Sequence, residues 1–319
     1  MISRILGLIK KFLSKDSQWW KTVLKANFRN PIEVFKLFYY NIKRKLFDIG
    51  ARFGFYQYKY NVIFIAGMPL SATTWVKNLF GRVPGYFTRH TPMSYDIAVN
   101  RNIAQSAFKY VPTYGYTIFK THLNPEIENL NIITNNDIKK IIVTMRDFRD
   151  VAVSRYYRLA TSTGPFGPKK KGDPLYLDLS KMTKEEAINE SIKIVAEYYV
   201  DWIDGWLSIG KEREDFVYFC EFENLRNNTA EEFKKMLMFY EIELSEDKIN
   251  QIVNASIGKG KMQDNNNKAL LQPWALSSNF RSGVVGGWRK EFTENNIKYC
   301  KEMLGQALVK HDYEKDDNW

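Results

Sequence analysis

The chain has 319 residues, with 47 Lys and Arg against 36 Asp and Glu and a formal net charge of +11. Its 45% hydrophobic and 26% charged residues are ordinary globular values that exclude wholesale disorder and a collagen-like repeat. Two cysteines, Cys220 and Cys300, cannot by themselves build a disulfide framework or a zinc cage, and the longest strongly apolar run, Val62 to Met68, falls far short of the roughly 20 residues of a membrane-spanning helix.

The charge is uneven. Residues 1–60 carry 13 Lys and Arg against three acidic residues, whereas the rest is nearly balanced at 34 against 33. This shift predicts a boundary near residue 60, between a basic helical segment (1–60) and an α/β domain (61–319). Ile2, Ile5, Leu6, Ile9, Phe12 and Leu13 recur at helical spacing, with Arg4, Lys10, Lys11 and Lys15 elsewhere on the wheel. Two readings stand: a basic amphipathic helix lying on an anionic membrane surface through residues 1–15, or a helix packed on the main domain or a partner. Phe35, Phe38, Tyr39, Phe47, Phe53 and Phe55 suit core contacts in the second. The apolar run Ile5–Ile9 is too short for a signal peptide and Lys10 and Lys11 follow it at once, so the chain is expected to be cytoplasmic, peripheral to a membrane on the first reading, and not secreted.

From residue 61 strands and helices alternate. Asn61–Ala66 is a short apolar run ending at Gly67, the mark of a buried parallel strand, and a turn and a helix beginning near Thr73 follow. Tyr116–Phe119, Lys140–Met145 and Phe216–Cys220 are further strands. Helical patterns cover about 150–160, 184–208, 230–240, 246–255 and 293–308, and loops are expected at 162–173 and 258–279. The alternation predicts a single three-layer α/β domain around a mainly parallel sheet, with its ligands at the carboxyl ends of the strands.

The first strand-to-helix turn, Gly67-Met68-Pro69-Leu70-Ser71-Ala72-Thr73-Thr74-Trp75, is P-loop-like: it feeds backbone N–H groups into a helix N-terminus, a cradle for phosphate or sulfate. The nucleotide-triphosphatase pattern G-x-x-x-x-G-K-[ST] fails, because Ala72 stands at its second glycine and Thr73 at its lysine. Three further blocks lie at or near predicted element ends: Lys120-Thr121-His122, Arg146 to Ser154, and Arg281-Ser282-Gly283 with Gly286-Gly287-Trp288.

In this order the four blocks resemble the cytosolic-type sulfotransferases, which transfer a sulfuryl group from 3′-phosphoadenosine 5′-phosphosulfate (PAPS) and release 3′,5′-phosphoadenosine (PAP). The likeness spans about residues 61–308. It implies that Ser71, Thr73 and Thr74 bind the 5′-phosphosulfate, that Trp75 stacks on adenine with Phe222 near it, and that Arg146, Ser154, Arg281, Ser282 and Gly283 hold the 3′-phosphate. An arginine suits that work because its planar fork grips an oxyanion at two points, although on its own Arg146 also fits a salt bridge with a nearby Asp. By the same resemblance His122 is the general base and Lys120 stabilises charge on the sulfuryl group. An imidazole with an ordinary pKa of ~6.5 is a competent base at neutral pH. The implied acceptor is a hydroxyl or amine on a small molecule, lipid or glycan, with no nucleic-acid partner and no metal. Phe87, Tyr95, Tyr110, Tyr114, Phe166 and Tyr176 suit a hydrophobic or glycosidic acceptor, and a packed core explains most of them equally well.

Departures from the family pattern accompany the likeness. Leu70 stands where a Lys or Arg usually supports the bridging oxygen, Ala72 where a glycine is usual, and Ser282 where a lysine is usual. Lys120 or another base such as Lys77 then compensates, or the chain is a slow enzyme or a PAPS-binding protein without transfer. The family's dimerisation pattern is not reproduced around Thr293–Lys298, so the sequence assigns no oligomeric state.

Overall fold

A computed structural model describes residues 31–88, 102–111, 114–161, 178–256, 283–316 and 318–319. The periodic stretch at residues 2–13 and the expected loops at 162–173 and 258–279 lie outside them. Helix α1 (Pro31–Arg52) leads into β1 (Val62–Gly67), α2 (Thr73–Phe80), β2 (Tyr86–Thr88) and β3 (Tyr116–Thr121). Then come α3 (Ile127–Asn135), β4 (Ile141–Met145), α4 (Phe148–Thr161), α5 (Lys184–Glu212), β5 (Val217–Glu221) and α6 (Phe222–Asn227). Helices α7 (Thr229–Phe239), α8 (Glu246–Ser256) and α9 (Glu294–Lys310) complete the described chain.

The five strands are all parallel, in the order β2-β3-β1-β4-β5. Alternate residues feed opposite faces, as the twofold period of a strand requires. Ile63, Ile65, Ile118 and Ile142 face Val76, Leu79 and Phe80 of α2, Phe233 and Met236 of α7, and Ile249 and Ile252 of α8. Phe64, Ala66, Phe119, Ile141 and Val143 face Val151 and Ala152 of α4, Ile192, Trp202 and Trp206 of α5, and Leu304 of α9. The result is the expected three-layer α/β domain.

Each strand read from the sequence forms with its ends moved by one or two residues, and the helix read from residue 184 runs on to Glu212. Strand β2 and helices α3 and α6 are additions, too short to stand out by period. In and after α1, Phe47 stacks on Tyr56 with centroids 5.4 Å apart and meets Phe87 at 5.2 Å, the packed role considered for it. Tyr39, Phe53 and Phe55 are exposed instead.

Candidate functional site

The turn after β1 is shaped by two residues in the left-handed region, Leu70 and Ala72, each with φ near 70°. Ala72 caps α2, its carbonyl accepting the N–H of Trp75 at 2.7 Å and of Val76 at 3.1 Å. The first N–H groups of a helix have no acceptor inside it, so those of α2 open at the carboxyl end of the sheet. The turn lies tight on the sheet because of Gly67: a Cβ there would come within 2.3 Å of Thr144 Oγ1 and 2.4 Å of Thr73 Oγ1.

The hydroxyls of Ser71 and Thr73 turn inward. Ser71 Oγ lies 2.6 Å from Thr144 Oγ1, 3.0 Å from the Thr144 carbonyl and 2.5 Å from that of Met68, and Thr73 Oγ1 lies 3.2 Å from Thr144 Oγ1. Both are buried. Thr144 is thus the hub that holds the turn, a role hidden by its place inside an apolar strand. Thr74 and Trp75 are half-buried. Trp75 Nε1 donates to Ser256 Oγ at 3.4 Å, bringing in the end of α8, which no motif announced. Leu70 packs its side chain against the core on the α5 side of the sheet.

One strand over, His122 follows β3 directly. Its Nδ1 lies 2.5 Å from the Gly67 carbonyl. A carbonyl only accepts, so this contact keeps the proton on Nδ1 and the lone pair on Nε2. Lys120 pairs in register with Ile65 and shares the sheet face of Ile118, beneath α2. Burial, aided by the Arg158 charge, lowers its pKa to about 8. Lys120 is half-buried, whereas Lys77 on α2 is buried, and desolvation plus the charge of Lys120 lowers the pKa of Lys77 to about 7.

On the other side of β1, Arg146 leaves β4 and makes a dense set of contacts. Its Nη1 donates to Ser154 Oγ at 3.2 Å and to the Leu70 carbonyl at 3.4 Å, and its Nη2 donates to the Val284 carbonyl at 3.2 Å. The guanidinium lies 4.1 Å above the Phe222 ring. Nη2 also pairs with Asp150 at 3.3 Å, so the salt bridge considered for this arginine exists alongside its place in the cluster. Asp150 in turn accepts the N–H groups of Gly286 and Trp288, both at 2.9 Å, which pins the glycine-tryptophan block to α4. Gly283 is described, with φ 59°, whereas Arg281 and Ser282 lie outside the described residues.

The structure therefore gathers the turn, Lys120 with His122, and Arg146 with Ser154 and Phe222 along the ends of β3, β1 and β4. The profile of the sulfotransferase domain matches residues 61–312. The chain belongs to the sulfotransferase family. Among curated relatives, sulfotransferase 1B1 of Canis lupus familiaris is 25% identical over 273 residues, covering 77% of this chain and 84% of its own length. Sulfotransferase 1E1 of Homo sapiens is 25% identical over 278 residues, covering 80% and 87%. Among solved structures, mouse sulfotransferase SULT7A1 complexed with PAP superposes with a TM-score of 0.57 at 20% identity, covering 79% of this chain and 85% of that one. Retinol dehydratase in complex with androsterone and inactive cofactor PAP gives 0.51 at 18% identity, covering 78% and 80%. These likenesses establish the fold of the sulfotransferase domain.

A cavity of about 430 Å³ lies between α1, which precedes this domain, and α2, β2 and α8 within it. None of the residues expected to bind the donor lines it, and Lys77 is its link to them. Among the described residues no His, Cys, Asp and Glu cluster suited to a metal is present, and no helix is long and apolar enough to cross a membrane.

Proposed function

We propose that the chain transfers a sulfuryl group from PAPS to an acceptor hydroxyl or amine, with His122 as the base. The observation that carries this reading is the hydrogen bond from His122 Nδ1 to the Gly67 carbonyl, which aims a basic Nε2 from the strand beside the anion-binding turn. Residues on hand fit both anionic ends of the donor. The N–H groups at the start of α2, with Thr74 and Lys120, suit the phosphosulfate, Ser71 and Thr73 hold the turn's shape, and Trp75 and Phe222 offer rings to adenine. Arg146 and Ser154 suit the 3′-phosphate, with Gly283, and with Arg281 and Ser282 as further proposed ligands. Arg146 Nε is buried and has no hydrogen-bond partner, an unmet donor where an anion would satisfy it.

The donor supplies the sulfuryl group and a phosphate as leaving group. The acceptor oxygen or nitrogen forms the new bond to sulfur, the bridging sulfur–oxygen bond breaks with its electron pair passing to the phosphate, and the acceptor proton passes to His122 Nε2. Lys120 opposes the negative charge that collects on those oxygens. Transfer of sulfur-35 from labelled PAPS to a panel of phenols, steroid alcohols such as androsterone, and sugars tests the reading. His122→Ala is expected to lower the rate about 10²–10⁴-fold, and undiminished transfer refutes the base.

Leu70 favours a second reading, a PAPS-binding protein that does not transfer, because its side chain faces the core and brings no cation to the turn. PAPS binding without turnover in the wild type, with turnover gained in Leu70→Lys, is the outcome that selects it. A cytoplasmic setting is in keeping with Cys220 and Cys300, both buried free thiols.

A further inference from the structure

The turn that receives the phosphosulfate has lost its own cation, yet a buried one stands a helical turn away. Lys77 lies four residues after Thr73 on α2, hence on the same helix face, and helical side chains lean toward the N-terminus, here toward the turn. Only 6% of Lys77 is exposed. Helix α2 packs on β1 and β3, and Lys120 rises from β3 on the sheet face that α2 covers. Burial first, and the charge of Lys120 second, hold the Lys77 ammonium below its ordinary pKa.

Among the described residues neither Lys77 nor Lys120 has a carboxylate or hydrogen-bond partner. The cavity on the other flank of Lys77 offers none, for the other charged groups lining it are Lys43, Arg82 and Lys248. Burying an ammonium without a counter-charge is costly, and the half-buried Lys120 on the sheet face beneath adds a second positive charge to the buried Lys77. An anion bound beside them would offset that cost and favour the charged form of Lys77.

We infer that Lys77 supplies the cation missing at Leu70, so that Lys77 and Lys120 together hold the sulfuryl oxygens and the departing phosphate oxygen of PAPS. This rests on the sulfotransferase reading above. Lys77 stays protonated through the step and transfers nothing: the acceptor proton goes to His122, and the electron pair of the broken sulfur–oxygen bond goes to the phosphate. The family's loop cation has in effect moved from the turn to the helix behind it, which leaves position 70 available to a core leucine.

The test uses the full chain and its Lys77→Met, Lys77→Arg and Leu70→Lys/Lys77→Met variants, each checked for folding by circular dichroism and urea midpoint. PAPS affinity is measured by calorimetry without acceptor, and turnover with labelled PAPS. Lys77→Met is expected to weaken PAPS about tenfold and to lower kcat about 10²-fold, with a urea midpoint no lower than the wild type. Lys77→Arg retains most of both, and Leu70→Lys restores at least a tenfold share of what Lys77→Met lost. PAPS affinity and kcat within threefold of wild type in Lys77→Met overturn the inference, as does a loss that Leu70→Lys fails to rescue. A wild type that binds neither PAPS nor PAP sinks the sulfotransferase reading and this one with it. A wild type that binds PAPS and loses nothing at Lys77→Met sinks this one alone.

Discussion

Ala72 and Leu70 sit at φ near 70°, a region where a side chain crowds the backbone and a glycine does not. The strain at Ala72 is local, since this residue caps α2 and brings only a methyl group to the core beside it. Ala72→Gly is therefore expected to stabilise the fold by up to about 1 kcal/mol, read as a higher urea midpoint with unchanged slope; a lower midpoint contradicts the strain. Lys77 has the opposite bearing on stability. Its pKa is about 7 in the fold against 10.5 ordinarily, because burial and Lys120 disfavour its charge. The folded state thus holds fewer protons than the unfolded one between those values, and this residue's destabilisation is full below pH 7 and fades as pH rises toward 10.5. Lys77→Met is expected to gain about 1–3 kcal/mol at pH 6.5 and clearly less at pH 9.5, in paired urea titrations. An equal gain at both values rejects the depressed pKa.

Among the elements, α4 couples the two ends of the proposed donor site. Asp150 in its first turn receives Arg146 and the N–H groups of Gly286 and Trp288, while Arg146 reaches back to the Leu70 carbonyl in the turn after β1. One carboxylate so links β4, the glycine-tryptophan block and, through the arginine, the turn after β1. Asp150→Asn keeps the shape but loses the charge and one acceptor, and is expected to weaken PAP about tenfold and the fold by about 1–3 kcal/mol. Calorimetry and urea melts measure the two, and an unchanged PAP affinity removes Asp150 from the clamp. The element pattern explains which parts could be read in advance. Val62–Gly67 and Ile141–Met145 announce themselves as apolar runs bounded by turn residues, whereas Tyr86–Thr88 has three residues and no period. Thr144 and Ser256 pass unnoticed because a threonine within a strand and a serine ending a helix have many ordinary uses.

Across the whole molecule, the strand order brings residues from distant parts of the chain to one edge of the sheet. Gly67 lies opposite Thr144, and Ala66 opposite Thr121, because β1 runs between β3 and β4. The net charge of +11 has little part in this, since residues 61–319 are almost neutral and the anion binding proposed for them rests on a helix start and a few placed cations. The basic excess belongs to residues 1–60. Deleting residues 1–15 is expected to lower binding to vesicles containing anionic lipid while leaving PAP affinity unchanged, by sedimentation and calorimetry. Equal vesicle binding by the truncated chain rejects a membrane role for the segment.

By itself the sequence determined the alternation of strands and helices, the strand–turn–helix at Gly67–Trp75, and the motifs that carry the family likeness, because apolar period and turn chemistry are local properties. The tautomer set on His122, the inward hydroxyls of Ser71 and Thr73, the double allegiance of Arg146 and the burial of Lys77 were decided only in the tertiary structure. Each depends on which strand lies beside which and on how deeply a charge is buried, and neither is a property of neighbouring residues in the chain.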